Sequence, residues 1–366
     1  KPSSAASDVY KRQSYKMPAQ VIDLFCGVGG LTRGLMDAGL KVIAGFDIDE
    51  TCRYTYEHNN GIEYRLQDIR EVTGEELLEI YGDNDNIRIL VGCAPCQPFS
   101  QMRFKLGEAN AADEKYNLLL EYGRLIQETQ PTIISMENVP QIEDTSIFTE
   151  FLLILNEIGY NMDYHVVYCP DYGIPQTRRR FVLVGSLLGP IQIIPPTHNR
   201  NDIHVRDYIY NLPPIEAGET DLNDPLHRSA GLSAINIERI RYSKPGGTWR
   251  DWPEHLRCNC HKKESGKTYS SVYGRMTWDQ IGPTITTQFY NYGTGRYGHP
   301  EQNRALSLRE GAILQTFPPN YQFLDPEHKN SFSDIARHIG NAVPVRLGEI
   351  IGMSIINHLN EYDIDV

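Results

Sequence analysis

Short apolar runs alternate with amphipathic stretches along the first half of the chain, beginning at Gln20. Val21–Phe25 predicts a buried strand, and Leu31–Ala38 predicts a helix that ends at a glycine. Lys41–Phe46 predicts the next strand. The same alternation predicts strands at Glu63–Leu66, Ile87–Val91 and Thr132–Met136, and helices at about Tyr116–Thr129 and Phe148–Ile158. Repeated strand–helix units with short connections indicate an α/β fold with a doubly wound, mostly parallel sheet.

The pattern changes after Gly185. Pro190–Pro300 is rich in Pro, Gly, Tyr and Arg and has weak helical periodicity, which predicts a smaller, irregular domain. Helical patterning returns at Leu306–Gln315, and a last helix is predicted at about Pro344–Leu359. The predicted organisation has three parts: a flexible arm at 1–16, a main domain at 17–186 plus 303–366, and a second domain at 187–302.

Composition excludes several classes of protein. A chain of 366 residues favours two domains, and 40% hydrophobic residues are too many for a disordered chain. No apolar run approaches the ~18 residues of a membrane span, and the first 20 residues lack a signal-peptide core. Seven cysteines without disulfide spacing suggest reduced thiols and a cytoplasmic location.

The charge is unevenly distributed along the chain. The whole chain has a net charge of -12, yet residues 226–300 hold 11 Lys and Arg against 5 Asp and Glu. A basic segment on an acidic protein fits a nucleic-acid partner, although a solvated basic surface would have the same composition.

A glycine-rich turn, Gly27–Gly30, follows the first predicted strand. Such a turn lets a ligand approach the backbone at a helix N-terminus. The match to the dinucleotide fingerprint is imperfect because its last position is Thr32. Asp47, at the end of the next strand, is placed to accept a ribose hydroxyl, and Asp68 follows the third strand. A tight turn without a ligand remains the alternative.

Two further strands are followed by groups that could act chemically. Cys96 lies between Pro95 and Pro98, which stiffen the turn that presents it, whereas Cys93 is nearer the strand and is expected to pack. Glu137 follows the strand after that. Parallel strands would bring Glu137 and Cys96 to one edge of the sheet, where the carboxyl group could act as an acid beside a nucleophile. A cysteine that only packs and a carboxylate that only caps a helix are the alternatives.

The segment Gln176–Arg180 leads into a further apolar run. On a strand, Arg178 and Arg180 would share a face aimed at the sheet edge and suit an anionic or carbonyl-bearing substrate. Ser307 and Glu310 have capping-box spacing. His338–Pro344 is predicted to be a turn before the final helix.

These motifs together resemble the bacterial cytosine-5 DNA methyltransferase family. The resemblance covers Val21–Gly185 and Arg304–Gly352, and the motifs follow the order of the family. They are Pro95-Cys96-Gln97, Glu137-Asn138-Val139, Gln176-x-Arg178-x-Arg180 and Gly340-Asn341-Ala342-Val343-Pro344. The resemblance implies a Rossmann-like methyltransferase sheet, a target-recognition domain at 187–302 and an active enzyme of restriction–modification type.

The resemblance also implies residue roles. S-adenosylmethionine would be held by one set of residues and leave as S-adenosylhomocysteine; the set is Asp23, Phe25, Gly27, Gly29, Gly30, Asp47, Ile48, Asp68 and Asn341. Asp47 would bind the ribose and Asp68 the adenine amino group, with Ile48 on the adenine face. The last helix would pack beside the glycine turn.

For the reaction, the resemblance implies a cytosine flipped out of the duplex and attacked at carbon 6 by Cys96. Glu137 would assist at ring nitrogen 3, Arg178 would steady the base oxygen or the adduct, and Arg180 would support the site. The loop Ser100–Glu114 looks like the mobile lid of the family. Candidate DNA contacts are Gln97, Ser100, Arg103, Arg250 and Arg275.

The resemblance leaves other functions open. One branch of the family methylates tRNA by the same chemistry, and a DNA-binding regulator could retain the fold without turnover. Double-stranded DNA in a bacterial cytoplasm, such as nucleoid DNA, is the expected substrate. We expect a monomer, no membrane association and a possible cognate restriction endonuclease that acts separately. Cys258, Cys260 and His261 lack a second ligand pair, so their spacing favours a plain loop and no metal is predicted.

Overall fold

The computed structural model describes residues 19–82, 86–95, 118–263, 266, 268, 270–329 and 331–364. Within them, seven strands form one sheet: β1 (Ala19–Leu24), β2 (Lys41–Asp47), β3 (Tyr64–Leu66), β4 (Ile87–Gly92), β5 (Ile133–Asn138), β6 (Asn161–Tyr168) and β7 (Arg179–Ser186). The strand order is β3-β2-β1-β4-β5-β7-β6, and the first five strands are parallel. β7 runs antiparallel to both of its neighbours. The predicted α/β sheet is confirmed.

Helices cover both faces of this sheet. The described helices are α1 (Gly30–Ala38), α2 (Arg53–Asn60), α3 (Gly74–Tyr81), α4 (Leu118–Thr129), α5 (Ser146–Ile158), α6 (Arg206–Ile209), α7 (Ala234–Tyr242), α8 (Leu308–Leu314), α9 (Phe332–Asn341) and α10 (Val345–Glu361). Successive residues of β1 alternate between two cores, so Val21 packs with residues of α1 and α10 and Ile22 with residues of α3, α4 and α5. β1 is therefore apolar on both faces, as expected for a central parallel strand.

The C-terminal helix α10 packs directly against α1, as predicted. A Cβ at Gly30 would overlap the carbonyl oxygen of Val343, and one at Gly34 would overlap that of Val345. The small residues of α1 therefore allow the two backbones to come unusually close. This approach brings the segment before α10 next to the glycine turn that starts α1.

One prediction about the C-terminal part is wrong. His338–Pro344 is not a turn throughout, because α9 continues to Asn341 and only the last three residues form the connection to α10. Ile335 and Ile339 give α9 a buried face, and Ser331 caps its start. The capping box of Ser307 and Glu310 at the start of α8 is confirmed, since both of its hydrogen bonds are present.

Among the described residues from 187 to 302, regular structure is sparse, as predicted, and consists of α6, α7 and short 3-10 helices. A small core in this region is formed by Ile240, Trp249, Trp252, Leu256 and Tyr292, together with Ala305 just beyond it. In the described part of the chain, one helical stretch, Phe332–Glu361, is long and apolar enough to span a membrane by composition alone. Its best window is 67% buried inside the protein, which is typical of a core helix.

Candidate active site

A cavity of about 570 Å³ lies where β1, β2, β4 and β5 end. The order of the sheet reverses between β1 and β4, and open α/β sheets bind ligands outside the carboxyl ends of the strands at such a reversal. The cavity therefore lies where the topology itself predicts a binding site.

The glycine turn forms one wall of the cavity. Phe25, Gly27 and Gly29 all have positive φ, at 61°, 51° and 85°, so the chain turns sharply between β1 and α1. A non-glycine residue such as Phe25 seldom adopts this conformation. α1 begins at Gly30 with no side-chain cap in the described structure, which leaves its first N–H groups open to an anionic group.

Asp47 supports this wall from the end of β2. Its carboxylate accepts hydrogen bonds from the backbone N–H groups of Gly27 at 2.9 Å, Ile48 at 2.8 Å and Asp49 at 3.0 Å. Burial raises the pKa of Asp47, while these N–H groups oppose the shift. Oδ2 accepts one of the three bonds, so it keeps acceptor capacity toward the cavity. Beside it, the side chain of Ile48 is 67% exposed, an apolar surface at the cavity wall.

Asp68 and Asn341 line the same cavity. The Arg70 guanidinium lies 2.6 Å from the Asp68 carboxylate, and this hydrogen bond lowers the pKa of Asp68. Asn341 is the exposed last residue of α9. Asp68 and Asn341 are far apart in sequence, and the sheet edge and α9 bring them to one cavity.

Asp23 and Gly29 do not line the cavity, unlike the other predicted cofactor residues. Asp23 is fully buried and accepts a 2.6 Å hydrogen bond from the hydroxyl of Thr32. Burial raises the pKa of Asp23 to about 7. Asp23 therefore holds the start of α1 from beneath.

Glu137 and Arg180 form an ion pair in the cavity wall. Arg180 Nε lies 2.8 Å from Glu137 Oε1, and the Cys93 thiol donates to Glu137 Oε2 at 2.7 Å. The antiparallel pairing of β5 and β7 brings the two chains side by side, since Glu137 lies opposite Val182. The Glu137 side chain is 5% exposed, so this pair is screened from solvent and has a fixed orientation.

The sequence predicted that Arg178 and Arg180 share a strand face at the sheet edge, but the two side chains lie in different surroundings. Arg178 precedes β7 and is 2% exposed. Its guanidinium donates to the Ile285 carbonyl at 2.9 Å, the Gly340 carbonyl at 3.1 Å and the Gln176 side chain at 3.1 Å. Arg178 is absent from the described cavity lining and instead ties three segments of the chain together.

Four predicted site residues lie outside the described residues: Cys96, Gln97, Ser100 and Arg103. Of the other predicted DNA contacts, Arg250 is exposed. Arg275 is 4% exposed and donates to the carbonyls of His299, Gln302 and Ile240 and to the Asn303 side chain. The guanidinium of Arg275 is thus bonded inside the protein, and its contact with DNA stays a prediction.

The cavity rim also contains a polar group that the sequence did not predict. Arg337 Nη1 lies 2.6 Å from Asp49, and Thr51 bonds to His338 Nε2 at 2.8 Å. The Asp49 carboxylate interacts with His338, Thr51 and Arg337. These interactions, that of His338 foremost, lower the pKa of Asp49 well below its usual range. These bonds join the segment that follows β2 to α9, and Thr51 and His338 are 287 residues apart in sequence. Only the proximity of Asp49 to Asp47 in sequence could have suggested this group.

Comparison with known sequences finds one matching family profile and related proteins that align over most of the chain. Residues 19–357 match the profile of the C-5 cytosine-specific DNA methylase family. The chain is 52% identical to the Type II methylase M.HgiDII of Herpetosiphon aurantiacus over 93% of this chain and 95% of that protein. It is 30% identical to the Type II methyltransferase M1.HphI of Haemophilus parahaemolyticus over 93% and 88% of the two chains.

Solved structures share the fold. A DNA modification methyltransferase encoded within an Escherichia coli prophage has a TM-score of 0.71 and 23% identity, over 93% of this chain and 99% of that one. The Dnmt2 methyltransferase of S. pombe has a TM-score of 0.64 and 16% identity, over 94% and 99% of the two chains.

Proposed function

Since the chain belongs to the C-5 cytosine-specific DNA methylase family, we propose that it transfers the methyl group of S-adenosylmethionine to a cytosine flipped out of a short, specific sequence in duplex DNA. The observation that carries this proposal is the shared cavity. Asp47 and the glycine turn line one part of it, and the Glu137–Arg180 pair lines another. A cofactor and a base bound there would be in contact.

The cavity fits the proposed cofactor. The exposed Ile48 side chain offers a face for adenine, and Asp47 Oδ2 retains the capacity to accept a ribose hydroxyl. Asp68 would accept from the adenine amino group. The open N-terminus of α1 and Asn341 would hold the charged amino-acid end. S-adenosylmethionine supplies a methyl group on positively charged sulfur and leaves as S-adenosylhomocysteine.

Cys96 is the proposed nucleophile, one residue after Pro95, which lines the cavity. Its thiolate adds to carbon 6 of cytosine, and the electrons of the carbon 5–carbon 6 double bond make carbon 5 nucleophilic. Carbon 5 then takes the methyl group. Loss of the carbon 5 proton to water re-forms the double bond as the carbon–sulfur bond breaks, which returns the thiolate.

Glu137 would hydrogen-bond to ring nitrogen 3 and stabilise the electron-rich ring after thiolate addition. Arg180 fixes the Glu137 carboxylate and would reach the base oxygen, the role that the family resemblance implied for Arg178. Arg178 would act as a positioning residue by holding the backbone at Ile285 and Gly340. We also propose that 187–302 reads the target sequence from a basic surface that includes Arg250.

The enzyme would act as a monomer in the bacterial cytoplasm, with a cognate restriction endonuclease acting separately. The match extends over 95% and 88% of two Type II relatives, which supports the restriction–modification context. Both alternative functions keep the same cavity, so the choice among the three depends on the substrate.

Bisulfite sequencing tests the proposal directly. We expect that the purified protein, incubated with S-adenosylmethionine and random-sequence duplex DNA, methylates cytosine within one short motif. Methylation of tRNA alone would favour the RNA alternative, and binding without methylation would favour a regulator. Either result would overturn the proposal.

The nucleophile has its own test. Cys96→Ala should abolish methylation and leave S-adenosylhomocysteine affinity within about twofold, because the substitution changes none of the residues proposed to bind the cofactor. Thr149→Ala, at an exposed position of α5 outside the cavity lining, is the control and should keep activity. Methylation by Cys96→Ala would refute the assignment.

A further inference from the structure

Cys258, Cys260 and His261 converge on one point, although their spacing predicted a plain loop. The two thiol sulfurs and one ring nitrogen of His261 all lie within 4.8 Å of one another. Tetrahedral zinc, with Zn–S of about 2.3 Å and Zn–N of about 2.0 Å, holds such ligands about 3.5–3.8 Å apart. The donors would therefore need to move together by only about 1 Å.

His261 is held as a ligand would be. Its ring is 6% exposed and stacks on Trp249 with the ring centroids 4.3 Å apart and the planes 17° from parallel. The Tyr273 ring lies at 82° to the His261 ring, with the two centroids 5.7 Å apart. Nδ1 of His261 is buried and has no hydrogen-bond partner among the described residues, which is costly for a polar atom unless something binds it.

Two cysteine ligands would balance the charge of a bound zinc ion. Two thiolates and one divalent ion sum to zero, so metal binding adds no net charge to the loop.

A second group of potential ligands, Asp49, Cys52 and His338, is a poorer candidate. Asp49 is already paired with Arg337 at 2.6 Å, and His338 is bonded to Thr51. By contrast, the Cys258 sulfur makes a long contact of 3.9 Å to the Tyr273 hydroxyl.

We propose that Cys258, Cys260 and His261 bind one zinc ion. Soft thiolates with an imidazole select zinc over harder cations, and three protein ligands leave one position for water or a further group. The ion fixes the short turn Asn259–Lys262 against the small core around Trp249 and Trp252, in a part of the chain with little regular structure. Its role is structural.

The test uses the full-length protein in reducing buffer, loaded with zinc and desalted before metal analysis. We expect one zinc per chain. Cys258→Ser/Cys260→Ser should bind zinc at least about tenfold more weakly. His255→Asn, an exposed histidine three residues before the cluster, should bind it normally. A wild-type protein without zinc, or a double variant that retains it, would overturn the proposal.

Cobalt substitution keeps the test independent of whether the variants fold. Tetrahedral cobalt with two thiolates in the wild-type protein should give strong sulfur-to-cobalt charge-transfer absorption together with intense d–d bands. The Asp49, Cys52 and His338 group could supply only one thiolate. Octahedral cobalt without the charge-transfer band, or the band of a single thiolate that Cys52→Ser removes, would refute the site.

Discussion

Arg178 and Arg180 are two residues apart and lie in different surroundings. Arg180 lines the cavity beside Glu137, whereas Arg178 donates to buried carbonyl groups of distant segments. The same substitution at each position should therefore have different consequences. A guanidinium donates hydrogen bonds in several fixed directions at once. The compact ammonium group of a lysine, on its flexible side chain, cannot reproduce that geometry.

We expect Arg178→Lys to lower the free energy of unfolding by about 2 kcal/mol or more, because buried carbonyls lose their donors. Arg180→Lys should lower kcat by about tenfold or more with little change in unfolding, because its role is to orient Glu137. Urea unfolding and initial methylation rates measure the two effects, and each variant is the control for the other. Equal losses of stability would contradict the division of roles.

Asp23 should make stability depend on pH. Burial raises its pKa from 3.8 to about 7, so the folded protein keeps a proton that the unfolded chain releases above about pH 4. Unfolding therefore releases a proton between about pH 4 and 7. The contribution of Asp23 becomes less favourable as pH rises through this window, by at most about 1.4 kcal/mol per pH unit.

Asp23→Asn removes this titration and can still accept from Thr32. We expect the variant to gain stability relative to the wild-type protein as pH rises from 4 to 7, measured by urea unfolding at several pH values. Asp37→Asn, at an exposed pair on α1, should leave the pH profile unchanged. Parallel profiles for Asp23→Asn and the wild type would show that Asp23 is not protonated in the folded state.

At the scale of the element, α1 and α10 depend on close backbone contact. A Cβ at Gly34 would overlap the Val345 carbonyl oxygen and lie 2.5 Å from the Glu349 nitrogen, both of which are backbone atoms. Gly34→Ala must separate the helices and should cost about 3 kcal/mol or more in unfolding free energy. Gly231→Ala has open space around its Cβ and should change stability by less than about 0.5 kcal/mol. A similar small effect at Gly34 would contradict the packing.

The central strands could be predicted because each carries a continuous apolar run between turn residues. β6 was not predicted, since its mixture of exposed and half-buried residues gives no such run. α2 was missed for the same reason, because its polar sequence RYTYEHNN has little apolar periodicity. α9 was missed because Gly340 and Asn341, which favour turns, occupy its last turn.

The candidate site likewise contains some residues that the sequence could predict and others that it could not. Asp47, Glu137 and Asp68 follow strand ends, and parallel strands bring their carboxyl ends to one edge. The Asp49–Arg337 pair joins segments 288 residues apart, and the burial of Arg275 depends on packing in an irregular domain. Neither has a local pattern, so no periodicity or motif could have identified them.

At the scale of the whole molecule, an acidic protein is expected to bind a polyanion through one basic segment. The net charge of -12 repels DNA at long range, whereas residues 226–300 carry an excess of six positive charges. Lys262 and Lys263 are exposed within this segment. If they contact phosphates, each contact releases about 0.9 counterion, and affinity for DNA falls as salt rises.

We expect Lys262→Gln/Lys263→Gln to lower the slope of log affinity against log salt by about 1 to 2, with equal effects on specific and non-specific duplexes. Fluorescence anisotropy of a labelled duplex over a series of KCl concentrations measures the slope. Lys41→Gln is the control, because this exposed lysine starts β2 at the edge of the sheet opposite the cavity. An unchanged slope in the double variant would place the DNA on another surface, whereas a loss confined to one sequence would mean that these lysines read bases.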